Sequence, residues 1–221
     1  MGRTEYRASE VRLEVFDEAF PAKKVEAILE ELGRQSKRVR KLPATLMVYY
    51  VIALGLFASV GCREVLRRLL EKSRWVWPTD VELSTDTAIT KARKRLGFEV
   101  LERLYRDLVG PIAARKSPGA FYRTWRVVSM DGSSVEVADS DENERAFGRP
   151  GSSRGKTAYP RIRFVSLLEN GTHVLFGAVM DAYGVGEVTI AQRVIGYLKR
   201  GMICLADRVA NHLPETRESC E

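Results

Sequence analysis

The stretch MICLADR (Met202 to Arg208) is a short apolar run that stops on an acid beside a base. Met202 to Ala206 reads as a buried strand that carries Asp207 to its tip. Just before it, GEVTIAQRVIGYL has the spacing of an amphipathic helix beginning near Glu187. A strand reached through such a helix pairs parallel to an earlier one, because a hairpin turn cannot make that connection. Further upstream, WRVVSMDGSSVEVAD (Trp125 to Asp139) reads as a strand, a tight Asp-Gly turn and a second strand. RIRFVSLLENGTHVLFGAVMDAY reads as a hairpin turned at Asn170-Gly171. This order predicts antiparallel strands, then a crossover helix and a parallel last strand, an α/β arrangement with a mixed sheet.

Two acids stand out by position. Asp131 follows the apolar run Val127-Val128-Ser129-Met130, and Asp207 follows Ile203-Cys204-Leu205-Ala206. If the first strand neighbours the last, the two converge at one end of the sheet. Converging carboxylates repel unless a cation lies between them, and hard oxygen donors suit Mg²⁺ or Mn²⁺. Two such ions about 3.5–4 Å apart promote in-line displacement at phosphorus. Taken singly, either acid has a plainer explanation: Asp-Gly is a common turn, and Asp207-Arg208 a common surface ion pair. The pair in this strand order favours a metal site.

The first half reads helical. FPAKKVEAILEELGR has Pro21 near a helix start and Gly33 as a stop. A basic connector, RQSKRVRKLP, leads to LMVYYVIALGLFASVGC (Leu46 to Cys62), which is shorter than the roughly 20 residues of a membrane span. Gly55, Ser59 and Gly61 interrupt it, so a buried core helix is expected. CREVLRRLLEK is amphipathic, and WVWPTDVELS is a break. In STDTAITKARKRLGFEVLERLYRDLVG, Ser84, Thr85 or Asp86 can cap a helix to Leu96, Gly97 ends it, and another helix follows. Lys91, Arg93, Lys94 and Arg95 crowd the last turns of the first of these helices. They are either a solvated helix end or a face laid along a DNA backbone in a unit resembling a helix-turn-helix. Arg38, Arg40 and Lys41 of the connector are the other candidate contact surface.

Charge is distributed unevenly over the 221 residues, whose formal net charge is +7. Residues 1–120 hold 23 Lys+Arg against 16 Asp+Glu, while residues 121–221 hold 13 of each, so the whole surplus lies in the first half. That pattern fits either one unit that grips a polyanion and another that does chemistry, or simply a solvated basic surface. Cys62, Cys204 and Cys220 are scattered and odd in number, which fits a reducing compartment better than a disulfide framework. His173 and His212 lack partners at ligand spacing.

Other motifs carry little. PGSSRGKT (Pro150 to Thr157) echoes a phosphate loop, but Pro150 takes the first glycine position, and neither a strand before nor a helix after supports it. Gly184-Val185-Gly186 is read as a turn only. Asp139, Asp141, Glu142 and Glu144 are read as an irregular, solvated loop.

Together these stretches resemble bacterial cut-and-paste transposases of the insertion element four family. The similarity runs from about Val11 to Arg208 and is carried by RKLPA, ARKRLG, VVSMDGSSVEVAD, YPRIRFVSLLENGTHVLFGA and GMICLADR. It implies an α + α/β fold: an all-helical N-terminal DNA-binding domain (1–117), then a mixed sheet of the ribonuclease-H-like kind (118–208), incomplete here. It also implies an Asp-Asp-Glu set holding two Mg²⁺ (or Mn²⁺) ions, with Asp131 and Asp207 matching the first two acids. Double-stranded DNA is the implied partner, at the element ends and at the target, with a homodimer on DNA and a cytoplasmic, nucleoid-associated location.

One departure sets this chain apart from that pattern. The family's third acid lies on a helix well beyond the second Asp, whereas 13 residues follow Arg208 here (221 − 208). Glu215, Glu218 and Glu221 sit in polar sequence with Pro214, so residues 209–221 are expected to be a disordered tail outside the family pattern. The expectation is a truncated transposase that lacks the catalytic Glu. The competing reading is a non-catalytic DNA-binding fragment that inhibits transposition.

Overall fold

The computed structural model describes residues 18–36, 38, 41–72, 84–151 and 158–207. The chain divides between Leu108 and Val109 into two compact units, each described by itself.

The first unit is helical. α1 (Ala22–Glu31) starts after Pro21, whose missing N–H costs nothing at a helix start. It stops at Gly33, whose φ of 63° suits a residue without a Cβ. α2 (Ala44–Leu56) is the core helix anticipated from composition: Leu46, Met47, Val48, Tyr50 and Ala53 are all buried. Its first free N–H, that of Ala44, is satisfied by the Ser36 hydroxyl at 3.0 Å. α3 (Cys62–Lys72) sends Val65, Leu66 and Leu69 into the same core. α4 (Asp86–Leu96) is capped by the Thr85 hydroxyl, which accepts from the Ala88 N–H, and is closed by Gly97 at φ 79°. α5 (Glu99–Leu108) adds Val100 and Leu104 to the core.

The second unit begins before the boundary expected at residue 117. The segment read as a linker is bonded into it through Glu169, which is fully buried. This carboxylate accepts from the Ile112 and Ala113 N–H groups at 3.0 and 2.9 Å, from the Thr172 hydroxyl, and from the Arg126 guanidinium. Arg126 also donates to the Ala113 carbonyl at 3.2 Å and stacks 4.9 Å from the Phe121 ring centre. A buried charge needs this many partners, and here they fasten the incoming chain to the sheet.

The sheet comprises β1 (Phe121–Tyr122), β2 (Trp125–Glu136), β3 (Arg161–Glu169), β4 (Leu175–Ala182) and β5 (Met202–Ala206). β1 to β4 pair antiparallel in sequence order, and β5 pairs parallel to β2. The mixed sheet expected from the order of elements is therefore present. α7 (Glu187–Val194), continued by a 3₁₀ turn over Ile195–Tyr197, provides the crossover. Its Ile190, Ala191 and Val194 bury Val128, Met130, Val165, Leu167 and Phe176 on one sheet face.

Several local expectations are corrected. Asp131-Gly132 is not a turn: β2 runs straight through it, pairing Asp131 with Ser166 and Gly132 with Val165. The hairpin after β3 is present but wider than Asn170-Gly171, because the ladder resumes only at Leu168 opposite Leu175 and His173 takes the left-handed conformation (φ 60°). The acidic stretch expected to be irregular forms a helix, α6 (Asp141–Phe147), because Ser140 caps the Asn143 N–H and Gly148 closes the other end. Its acids serve structure, with Arg149 reaching both Asp139 and Glu144. The 73–83 break, most of the phosphate-loop-like stretch and everything after Asp207 lie outside the described residues.

Replacing Glu169 with Ala strands the Arg126 charge and two backbone donors, so a loss of about 3–5 kcal/mol is expected in urea unfolding. A loss under about 1 kcal/mol would show that the cluster is not what fastens residues 112–113.

Candidate functional site

Strand pairing decides where the two acids fall. In the parallel ladder Met130 lies opposite Ala206, so Asp131 and Asp207 follow side by side where β5 ends and β2 continues. Neighbouring strands are about 4.8 Å apart, within reach of one cation for two carboxylates. Both residues line a cavity of about 30 Å³, together with Gly132 and Glu187. Both are exposed to solvent, and Asp131 Oδ1 accepts from the Gly132 N–H at 2.9 Å.

Glu187, which the sequence reading did not assign to a site, is half-buried at the first turn of α7. Its carboxylate lies over Gly132: a Cβ built there would fall 2.5 Å from the Glu187 carboxyl carbon. Glycine at 132 thus provides clearance for an acid rather than a bend in the chain. A topological signal for Glu187 was available. β4 runs in the same direction as β2, so the helix after β4 must begin at the sheet end where Asp207 finishes. Among the described residues, however, no three His, Cys, Asp or Glu side chains stand close enough to hold one metal ion together.

The approach to α7 is pinned on both sides. Arg163 donates to the Val185 carbonyl at 2.9 Å and stacks 4.8 Å from the Tyr183 ring centre. Arg193 pairs with Asp181 of β4 at 2.5 Å, and this hydrogen bond, with a second from the Ala182 N–H, holds the Asp181 carboxyl below the usual range. Gly184-Val185-Gly186 is a turn, as read from the sequence, and it stands between a strand and a helix. Even so, the acid at the α7 start and Thr189 in the third glycine position make it unsuited to a phosphate.

In the first unit most arginines are already committed. Arg67 and Arg68 pair with Glu64, drawing its carboxyl down to about 2. Arg103 pairs with Glu31 and Asp107, and Arg106 with Glu102. Lys91, Arg93 and Lys94 are exposed and form no ion pair among the described residues. Arg95 is different: it donates to the Leu42 carbonyl at 2.9 Å, while Arg34 bonds the Arg95 carbonyl at 3.3 Å. That tie brings the end of α4 beside the connector, where Arg38 and Lys41 are exposed. Lys41, next to Leu42 in the chain, is thus brought beside the end of α4 by the Leu42–Arg95 bond. Arg40 lies outside the described residues. The helix-turn-helix order is not met, because the tight Gly97 turn follows the basic helix and residues 73–85 separate α4 from α3.

Residues 10–106 match the family described as Insertion element 4 transposase N-terminal. Over 197 residues, 89% of the chain, it is 24% identical to InsZ of Escherichia coli (strain K12), a protein that carries a transposase name. Over 180 residues, 81% of the chain, it is 23% identical to the transposase InsG for insertion sequence element IS4 of the same strain. These matches agree with the resemblance to insertion element four transposases read from the sequence. The chain spans 64% of the length of InsZ and 40% of that of InsG. No solved structure matches. No helix among the described residues is long and apolar enough to cross a membrane.

A depressed folded-state pKa contributes stability above the unfolded value, and that contribution is lost as pH falls through the folded one. Asp181→Asn should therefore lower the melting temperature at pH 7, and the gap from the parent should close as the pH falls below about 4. A gap that stays constant down to pH 2 would rule out ionisation of Asp181 as the cause.

Proposed function

We propose that this chain belongs to the machinery of DNA transposition. The helical unit holds insertion-element DNA, and the ribonuclease-H-like sheet presents Asp131 and Asp207 to a divalent cation. The observation that carries this reading is the parallel β2–β5 pairing, which sets the two acids side by side in a chain whose relatives bear transposase names. The donor set fits Mg²⁺, which is held by one or two carboxylates and keeps waters and substrate phosphates as its other partners. A bound Mg²⁺ supplies charge stabilisation for attack and departure of oxygens at phosphorus.

The remaining roles belong to the chain's own residues. Asp131 and Asp207 hold their carboxylates on rigid strands, which limits the reorganisation needed when a phosphodiester arrives. Lys91, Arg93 and Lys94 neutralise backbone phosphates, a contact that fixes the DNA without reading its sequence. Lys41 extends that surface across the Leu42–Arg95 tie, and Arg38 of the same connector adds a further cation. A binding-only role, in which the chain occupies element ends without cutting them, is the second reading. It is favoured by the lack of a third carboxylate at ligating distance among the described residues.

Two measurements on the purified chain test these readings. Changing Lys91, Arg93 and Lys94 to Gln should weaken binding to duplex element ends and flatten log Kd against log salt by about 0.9 per lost phosphate contact. Arg95 is left intact because it braces the fold. An unchanged slope would place the contact surface elsewhere. Any Mg²⁺- or Mn²⁺-dependent nicking of labelled ends should vanish in both Asp131→Asn and Asp207→Asn. Nicking that survives in either variant would overturn the two-aspartate site, and tight binding with no nicking by the parent chain would select the binding-only role.

A further inference from the structure

We propose that the turn between β1 and β2, with the loop that leads into β5, is a second nucleic-acid contact, one that takes the unpaired bases of a single strand. It needs neither the α4 cations nor the two aspartates. Tyr122 and Trp125 are paired across the strands as the last pair before a two-residue turn, Arg123-Thr124. Both rings are open to solvent, at 59% and 48% exposure. Directly opposed residues share a sheet face, and the alternation along β2 puts this pair on the face away from α7. Phe121, one residue earlier, is by contrast a committed ring: the Arg115 and Arg126 guanidiniums lie 5.0 and 4.9 Å from its centre.

The turn itself is built around a cation. Two-residue hairpin turns give their first residue a positive φ, so glycine or asparagine is the ordinary choice there. Here that residue is Arg123, at φ 53°. A long side chain in that conformation is strained, and such strain persists where the side chain has a use. The Arg123 guanidinium lies 5.6 Å from the Tyr122 ring centre, so a cation and an open ring are presented together at the tip.

The charge around the rings decides the partner. No Asp or Glu occurs between Asp107 and Asp131, or between Glu187 and Asp207. The Arg126 N–H donates to the Gly201 carbonyl at 2.9 Å, which brings Lys199 and Arg200 beside the start of β2. Both are exposed and form no ion pair among the described residues. The acid that β3 brings to this end of the sheet, Glu169, is buried and held by Arg126. A protein partner is met by an apolar centre with a polar rim. Two open rings bordered by cations alone fit a polyanion that carries planar groups. In a duplex those groups are stacked inside and the phosphates are what is offered, whereas an unpaired strand offers both.

The test is fluorescence anisotropy of the purified chain in EDTA with three labelled probes: a short oligothymidine, an abasic strand of the same length and a closed-ended duplex. The parent should bind oligothymidine at least about fivefold more tightly than the abasic strand, because stacking on the rings is lost without bases. Trp125→Ala and Tyr122→Ala should each weaken oligothymidine binding about fivefold or more and leave duplex affinity unchanged, while Trp125→Phe keeps most of it. Arg123→Gly should weaken it as well, with a melting temperature no lower than the parent's, because glycine accepts a positive φ. Replacing Lys91, Arg93 and Lys94 with Gln should spare the preference for bases. Equal affinity of the parent for the two single strands, or no binding of either, would overturn the proposal whether or not any variant folds. In a ring variant that melts like the parent, unchanged oligothymidine binding, or an equal loss on the duplex, would overturn it too. Each of these results leaves the α4 contact and the aspartate pair standing.

Discussion

The parallel pairing of β5 with β2 is the constraint on which the second unit depends. A parallel neighbour cannot be reached by a hairpin, so a crossover helix is obligatory, and α7 must lie across the sheet to provide it. The cluster buried beneath Ile190 and Val194 is the energetic return for that connection. The same pairing fixes chemistry as well as packing. Once Met130 is opposite Ala206, Asp131 and Asp207 are neighbours, and a slip of one residue would separate them and turn the apolar set of β5 away from α7.

In both units the committed charges mark out the uncommitted ones. Buried Glu169 gathers a guanidinium, two backbone donors and a hydroxyl, and the surface of the first unit is laced with arginine–carboxylate pairs. Lys91, Arg93 and Lys94 on α4, and Asp131 and Glu187 around Gly132, are among the charges with no opposite charge provided by the described protein. One group is cationic and the other anionic. Under the proposed function the basic group meets a phosphate backbone and the aspartates a divalent cation, the two ligands that act together in phosphodiester chemistry.

Much of this was legible in the sequence because it depended on local signals. Pro21, Gly33, Thr85 and Gly97 punctuate the helices, and the apolar runs ending at Met130 and Ala206 mark the strands that carry the acids. Hidden features depended on tertiary context. Asp131-Gly132 reads as a turn because that dipeptide usually is one, and only the presence of Glu187 overhead explains a glycine inside a continuous strand. The charges of Arg95 and Glu169 say nothing of the carbonyl and the buried amides that engage them. The segment around Pro111 and Pro118 looks like a linker because the partner of Ile112 and Ala113 lies 57 and 56 residues away, at Glu169.

Under the proposed function, the β2–β5 pairing builds a divalent-cation site from Asp131 and Asp207. A crystal of this chain soaked in Mn²⁺ and measured at the manganese absorption edge tests it most directly. The expected result is an anomalous peak between the carboxylates of Asp131 and Asp207, at about 2–2.3 Å from their oxygens and open to solvent on the other side. A peak elsewhere with these two carboxylates turned apart, or no peak at millimolar Mn²⁺, would contradict it.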